Sequence, residues 1–156
     1  MKLRFTKMHG CGNDYVYVNC LEHLLKEPEK LAKLVSHRRF GIGSDGLICI
    51  CPSDKADFRM RMYNADGSEG KMCGNGTRCI AKYVYDKGLT EKTTFTLETL
   101  AGIKTIHVTV NNGKVELAEV DMGKAIIAPK QVPVQWEGNA LLDEKLVFTA
   151  SDGTQF

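Results

Sequence analysis

The stretch from Asn64 to Gly88 decides the fold, and it reads Asn64-Ala-Asp-Gly-Ser-Glu-Gly-Lys-Met-Cys-Gly-Asn-Gly-Thr-Arg-Cys-Ile-Ala-Lys-Tyr-Val-Tyr-Asp-Lys-Gly88. Its first half is a glycine-rich loop. Its second half carries Ile80, Tyr83 and Val84 at helical spacing, which predicts an amphipathic helix. A glycine just after the last helical residue is typical of a helix end, so we expect the helix to stop at Gly88.

Cys73 stands directly before this helix, which Asn75 or Thr77 is expected to cap. The partial positive charge of a helix N-terminus favours thiolate over thiol. Gly74 and Gly76 let a ligand approach the backbone, and free N–H groups at that place bind anions such as carboxylates. This combination indicates proton-transfer or nucleophilic chemistry on an acid substrate. The plainer alternative is a buried, inert cysteine beside a tight turn.

Length and charge restrict the class of protein. The chain has 156 residues, enough to bury about two-thirds of its unfolded surface in one or two small lobes. Its 21 basic and 19 acidic residues are nearly balanced and form no long basic run, which argues against nucleic-acid binding. The sequence has no apolar run of transmembrane length and no signal peptide, so we expect no membrane partner.

The six cysteines favour reduced thiols and a cytoplasmic location, because no secretory signal accompanies them. A zinc site is the alternative, but there is no Cys-x-x-Cys pair, and Cys49 and Cys51 lie in an apolar run that looks like a strand. We therefore expect no metal. The glycine-rich loop at 41–46 lacks both a Gly-Lys-Ser/Thr ending and Rossmann spacing, so nucleotide binding is rejected.

Alternating or β-branched runs predict strands elsewhere, and Asn111-Asn112-Gly113 predicts a hairpin turn. Residues 8–14 are interpreted as a glycine-rich turn. A helix should begin at Pro28, with Leu31, Leu34 and Val35 forming its apolar face. The expected strands cover residues 3–7, 15–18, 47–51, 58–62, 93–98, 103–110 and 114–120.

The last part of the chain is expected to open a second unit. Pro129 and Pro133 argue against central strands within 122–133. Another strand is expected over 145–156, with a turn at Asp152 and Gly153. A unit of this length is too short to bury its own core. We therefore expect either pairing with the first lobe or an incomplete protein.

Three stretches, taken together, resemble the diaminopimelate epimerases. They are residues 8–15, with the sequence Met-His-Gly-Cys-Gly-Asn-Asp-Tyr, residues 39–46, with Arg-Phe-Gly-Ile-Gly-Ser-Asp-Gly, and residues 64–79, which end in Met-Cys-Gly-Asn-Gly-Thr-Arg-Cys. The resemblance implies an α+β fold whose lobes are each a curved, mostly antiparallel sheet or barrel wrapped around a central helix. On this basis residues 1–120 form the N-terminal epimerase lobe with the catalytic cysteine, and residues 121–156 open an incomplete second lobe.

The resemblance also implies an activity and a set of partners. It implies a pyridoxal-independent epimerase, an isomerase that interconverts LL- and meso-2,6-diaminopimelate on the route to lysine and peptidoglycan. The partner is then a small molecule and no cofactor is needed, while a homodimer stays open. Two thiols act in this family, and the second lies in a Cys-Gly-Thr-Gly context that this chain lacks. We therefore expect the chain to be truncated and inactive alone.

Site residues follow from the same motifs. Cys73 matches a catalytic cysteine of the family, Asn13 and Asn64 match substrate-holding positions, and Gly74 and Asn75 match the backbone cradle for the substrate carboxylate. Gly46 departs from members that carry a substrate-contacting glutamine there, and it is given no role.

Three alternatives stay open at the level of sequence. Proline racemases and hydroxyproline epimerases resemble the motif but place histidine where Asn75 stands. A lobe that binds an amino acid without turnover is the second alternative. A thiol hydrolase that pairs Cys73 with His9 or His37 is the third, and it needs an imidazole within reach of the sulfur.

Overall fold

The computed structural model describes residues 3–132, 134–139, 145 and 147–155. They fall into two compact units, Met1–Met122 and Gly123–Phe156. In the described part of the chain, no helix is both long and apolar enough to cross a bilayer.

The first unit is built on one eight-stranded sheet with two helices. The elements are β1 (Thr6–Gly10), β2 (Asn13–Asn19), α1 (Pro28–Ser36), β3 (Gly46–Cys51), β4 (Phe58–Asn64), β5 (Glu69–Gly70), α2 (Gly74–Asp86), β6 (Thr94–Thr99), β7 (Gly102–Asn111) and β8 (Lys114–Val120). The strands follow the order β1-β2-β3-β4-β6-β7-β8, and the short β5 pairs with β4. Two pairings, β2 with β3 and β4 with β6, are parallel, and the others are antiparallel.

The sheet curves around α2. This helix contacts β1 and β2 at one end of the strand order and β7 and β8 at the other, which a flat sheet would not allow. Ile80 and Val84 of α2 are fully buried against residues of the middle strands, such as Ile48 and Phe95. The expected fold, a mostly antiparallel curved sheet around a central helix, is confirmed.

β2 and β3 are buried on both faces. Tyr15 and Tyr17 of β2 point to the α2 side, while Val16 and Val18 pack with α1. Strands covered on both sides read as continuous apolar runs instead of alternating ones. This explains the unbroken run of buried residues in β3, Gly46–Cys51.

The start of α2 differs from the sequence prediction. Neither Asn75 nor Thr77 is the N-cap, because Cys73 takes that position in an extended conformation and its sulfur accepts the Gly76 N–H. A sulfur atom in the N-cap side chain satisfies one of the donors that a helix start leaves free. The predicted end is confirmed: Lys87 is the C-cap, and Gly88 follows it with a φ of +68°.

The interpretation of residues 8–14 as one turn is wrong. β1 continues to Gly10 and β2 begins at Asn13, so only Cys11 and Gly12 form the turn. Both have positive φ, 54° and 84°, as a two-residue hairpin turn that matches the strand twist requires. β1 also starts at Thr6, later than expected.

Helix α1 begins at Pro28 as predicted, and Leu31 and Val35 pack against the core as expected, but Leu34 does not. Pro28, Ala32 and Val35 are buried, while Leu34 is 70% exposed. Positions i, i+4 and i+7 share one face of a helix, and Leu34 lies away from it. The chain then leaves the helix at His37, its C-cap.

The second unit has little regular structure among its described residues. Pro129 lies in a 3₁₀ helix, Pro129–Gln131, and Pro133 lies outside the described residues. The described part of 145–156 contains one isolated pair, Thr149 with Gln155, around a turn at Gly153. The expected strand is therefore wrong over these residues, although the turn is present.

Candidate functional site

Four elements bring polar groups to one edge of the sheet. β2 and β3 are parallel, so both start at this edge, where Tyr15 pairs with Gly46. β4 runs in the opposite direction and ends there, with Asn64 opposite Gly46. The N-terminus of α2 reaches the same edge, because Cys73 hydrogen-bonds Asn13. These positions form the candidate site.

The Cys73 sulfur is half-buried between a side-chain amide and a helix start. Its thiol donates to Asn13 Oδ1 at 3.2 Å, and its sulfur accepts the Gly76 N–H at 3.3 Å. The buried Tyr15 side chain lies beside it. Burial, and next the neighbouring Cys73 sulfur, raise the pKa of the Tyr15 hydroxyl. Tyr15 therefore stays protonated and can act only as a neutral neighbour of the thiol.

Asn13 is held from both sides. Its Nδ2 donates to Asp45 Oδ2 at 2.7 Å, while its Oδ1 faces Cys73. The same Asp45 oxygen accepts the backbone N–H of Asp14 at 3.1 Å. A continuous hydrogen-bonded path thus runs from the Asp45 carboxylate through Asn13 to the Cys73 thiol.

A cluster of ion pairs lies next to this hydrogen-bonded path, on the side of Asp45. Arg38 donates to Asp14 at 2.7 and 3.2 Å and to Asp45 at 2.8 Å. Lys7 pairs with Asp14 at 3.0 Å. The hydrogen bond from Arg38, reinforced by Lys7, holds the pKa of the Asp14 carboxyl well below its ordinary range. Asp14 is therefore ionised throughout the physiological range and anchors Arg38 at the site.

The first turn of α2 offers two free donors. Gly76 N–H is taken by the Cys73 sulfur and Thr77 N–H by the Cys73 carbonyl. The N–H groups of Gly74 and Asn75 have no acceptor among the residues that the structure describes. The Asn75 side chain is engaged by Arg78. The backbone of these two residues is therefore what the site presents to an anion.

Asn64 lies at the end of β4 and joins the following turn. Its Nδ2 donates to Ser68 Oγ at 3.0 Å, and its backbone N–H donates to Ser68 O at 2.9 Å. Its hydrogen bonds thus go to the turn and not to Cys73 or Asn13. The side-chain oxygen of Asn64 remains available to a ligand at this edge.

Gly46 has no room for a side chain. A Cβ built on it would lie 2.1 Å from Tyr63 O and 2.8 Å from Tyr15 Cε1. The absence of a polar side chain at position 46 therefore follows from the close approach of the two neighbouring strands. A glutamine there requires a different backbone at this point.

The histidines do not reach the sulfur through any described hydrogen bond. His37 Nδ1 accepts the N–H groups of Arg39 and Phe40 at 3.2 and 3.1 Å, which stabilises the turn after α1. His9 is exposed on β1. Within the described residues, the groups around the Cys73 sulfur are the Asn13 amide, the Gly76 N–H and the Tyr15 hydroxyl, so the thiol-hydrolase alternative gains no support.

The other cysteines occupy different environments. All six are free thiols. Cys11 is exposed in the first hairpin turn, with Arg78 3.7 Å from its sulfur. Within the described residues, no group of three ligating side chains could hold a metal ion. The remaining cysteines, Cys20, Cys49, Cys51 and Cys79, are buried in the two cores.

Sequence reasoning missed Asp45, Arg38 and Tyr15 as site residues. Asp45 is 32 positions from Asn13, and the two meet only because β2 and β3 pair in parallel. One signal was available: β2 begins with a polar residue, Asn13, and another polar residue, Asp45, stands directly before β3. Parallel neighbours start at the same edge of a sheet, so such residues lie close together.

We expect Asp14→Asn to lower the free energy of unfolding by about 1 kcal/mol at neutral pH, because solvent screens the half-exposed Arg38 partner. Folding lowers the pKa of Asp14. Its stabilising effect is therefore complete above the unfolded pKa of about 3.9 and is lost as the pH falls through the folded pKa. Urea unfolding of both proteins at a series of pH values measures this. A difference that stays constant below about pH 4 would contradict it.

The fold resembles that of solved racemase, epimerase and isomerase structures. A hydroxyproline epimerase from Agrobacterium vitis has a TM-score of 0.57 with this chain at 15% identity, over 76% of this chain and 40% of that protein. At this identity the likeness shows the fold alone.

The family is defined more closely by sequence. The family model described as diaminopimelate epimerase matches residues 5–128. The chain belongs to the diaminopimelate epimerase family.

Curated relatives agree with this assignment. A diaminopimelate epimerase from Acetivibrio thermocellus is 53% identical over 154 residues, which cover 99% of this chain and 54% of that protein. One from Agathobacter rectalis is 59% identical over 143 residues, or 91% of this chain and 50% of that protein. The chain thus spans about half the length of these relatives.

Proposed function

We propose that this chain carries one side of the active site of a pyridoxal-independent isomerase that interconverts LL- and meso-2,6-diaminopimelate. The observation that carries the proposal is the position of Cys73. Its thiol lies at the start of α2, beside two backbone N–H groups without an acceptor in the described residues. Membership of the family supports the choice of substrate.

The proposed chemistry explains these residue types. The α-proton of an amino acid is a very weak acid, so a base must act while the developing negative charge is stabilised. In the proposal, Cys73 exchanges this proton. The N–H groups of Gly74 and Asn75 bind the substrate carboxylate and stabilise the charge that spreads onto it.

Inversion needs a second acid–base group on the opposite face of the carbon. Cys79 does not fit this role, because it is buried further along α2 and burial raises its pKa. Cys11 lies in the β1–β2 turn and points to Arg78. We therefore propose that the second thiol comes from outside the first unit, in line with residues 1–120 as one epimerase lobe and 121–156 as the opening of another.

Two amides are proposed to hold the substrate. After its contacts with Cys73, Asp45 and the Tyr15 hydroxyl, Asn13 retains one lone pair on its amide oxygen. Asn64 retains its side-chain oxygen. Each hydrogen bond to a polar ligand contributes about 1 kcal/mol. The free state of all six thiols supports a reducing, cytoplasmic location, and a homodimer remains part of the proposal on the resemblance alone.

The test is α-hydrogen exchange in deuterated solvent, with the complete protein that contains these residues. We expect deuterium to enter diaminopimelate and not proline, because the first-turn amides and Asn64 present hydrogen-bonding groups for an open-chain, polar substrate. Mass spectrometry of the recovered amino acids measures the exchange. Exchange into proline would instead support the racemase alternative, and binding of diaminopimelate without exchange would support a non-catalytic lobe.

A further inference from the structure

We propose that Asp45, held by Arg38, is a positioning residue that fixes the amide of Asn13 with its carbonyl oxygen toward the Cys73 thiol. The proposal rests on the proposed function for its meaning in catalysis. The geometric evidence for it is a path of hydrogen bonds that runs from Arg38 through Asp45 and Asn13 to Cys73.

The chemistry of Asp45 decides which way the Asn13 amide points. An ionised carboxylate accepts hydrogen bonds and donates none, so only the NH₂ end of an amide can face it. The distance from Asn13 Nδ2 to Asp45 Oδ2 is 2.7 Å, a short charge-assisted contact. The other end of the amide, Oδ1, must then face Cys73, where it lies 3.2 Å from the sulfur.

Asp45 is itself held rigidly. Arg38 binds one of its oxygens at 2.8 Å, and the backbone N–H of Asp14 binds the other at 3.1 Å. Its own N–H donates to Asp14 O at 2.8 Å, and its carbonyl accepts the Ala65 N–H at 3.0 Å. A carboxylate fixed at both oxygens and through its backbone cannot turn away from Asn13.

This orientation of the Asn13 amide determines whether the Cys73 sulfur donates a hydrogen bond to it or accepts one from it. A carbonyl oxygen accepts the S–H bond and favours the protonated thiol, whereas an NH₂ group in the same place would favour the thiolate. The Gly76 N–H acts in the opposite direction on the same sulfur. Asp45 therefore sets the balance between acid and base forms of Cys73 without touching the sulfur.

A direct effect of the Asp45 charge must be separated from this positioning effect. The titratable groups around the sulfur are the hydroxyls of Tyr15 and Tyr17 on β2 and the Cys79 thiol on α2, with Asp45 behind Asn13. If the charge of Asp45 acted on the sulfur directly, its removal would favour a thiolate at Cys73 as well. Only positioning requires the amide of Asn13 as the intermediary.

The experiment measures alkylation of Cys73 by iodoacetamide in this 156-residue chain, with peptide mapping and the exposed Cys11 as the internal reference. The readout is the alkylation rate of Cys73 at neutral pH divided by its rate at strongly alkaline pH, so that differences in access to the sulfur cancel. In Asp45→Asn the Asn13 amide is free to turn its NH₂ group to the sulfur. We expect the ratio to rise about three- to tenfold.

Repeating the measurement in the Asn13→Ala protein tests whether the effect of Asp45 on Cys73 passes through the Asn13 amide. With the amide gone, Asp45→Asn should leave the ratio unchanged, because the two substitutions act through one interaction. An equal rise in both backgrounds would overturn the proposal in favour of a direct charge effect. The proposal would also be wrong if Asp45→Asn did not raise the ratio in the protein that retains Asn13.

Two further variants test whether the effect is specific to Asp45 and whether Arg38 contributes to it. Asp57→Asn removes a carboxylate that binds Lys92 and Thr96 and is expected to leave the ratio unchanged. Arg38→Gln changes a half-exposed side chain, which the fold should tolerate, and loosens Asp45; we expect a smaller rise. An unchanged ratio in Arg38→Gln would remove Arg38 from the proposal. None of these alkylation measurements depends on turnover. They can therefore contradict the positioning role of Asp45 while α-hydrogen exchange supports the proposed function, and the opposite combination of results is equally distinguishable.

Discussion

Replacing Cys73 with serine should lower the rate of α-hydrogen exchange into diaminopimelate by about a thousandfold or more in the complete protein. A serine hydroxyl is a far weaker acid than a thiol and cannot supply the base for an α-proton. Serine is nevertheless a preferred N-cap residue. It can accept the Gly76 N–H as the Cys73 sulfur does, so α2 and the fold should persist.

The matched control is Cys11→Ser, which changes an exposed thiol of the neighbouring hairpin. We expect its exchange rate to stay within about twofold of the parent protein, because surface substitutions usually change little. Exchange is followed by mass spectrometry, and folding by circular dichroism. A Cys73→Ser protein that is folded and retains a tenth of the parent rate would contradict the role proposed for this thiol.

Gly46→Gln should destabilise the first unit by about 3 kcal/mol or more, the upper range for overpacking. The new Cβ would lie 2.1 Å from the Tyr63 carbonyl oxygen and 2.8 Å from the Tyr15 ring. Tyr63 is the next-to-last residue of β4 and pairs with Leu47, so its carbonyl cannot move without disturbing the β3–β4 pairing. Urea unfolding, monitored by circular dichroism, measures the loss.

Gly74→Ala provides the comparison for stability. A Cβ there meets only Met122, at 3.7 Å, which is ordinary van der Waals contact. An alanine at a helical position without a clash should change stability by less than about 1 kcal/mol, in the stabilising direction. If Gly46→Gln and Gly74→Ala unfold at similar urea concentrations, the steric explanation for glycine at position 46 is wrong.

Local sequence patterns correctly predicted those helices and turns that depend only on residues close together in the chain. The periodicity of Ile80, Tyr83 and Val84 predicted α2, and the glycine at 88 predicted its end. The Asn112-Gly113 pair predicted the β7–β8 turn, where both residues have positive φ. Side-chain spacing and backbone conformation at single positions are properties of short segments, so they can be read from sequence.

Predictions failed where contacts between elements decide the outcome. Leu34 looked like part of the apolar face of α1, yet the helix docks on the sheet through Pro28, Ala32 and Val35. The cap of α2 was expected at Asn75 or Thr77, but the approach of the chain to the sheet places Cys73 there instead. Which face is covered, and where the chain enters a helix, depends on the neighbours of that helix.

The sequence by itself determined the family, the order of the elements and the presence of a cysteine at a helix start. Only the tertiary structure decided what surrounds that cysteine. Asn13 is 60 positions from Cys73 and 32 from Asp45, and these three meet because two parallel strands begin at one edge and the start of α2 docks there. Hydrogen bonds between residues this far apart depend on strand pairing and helix packing, which no local pattern of residues specifies.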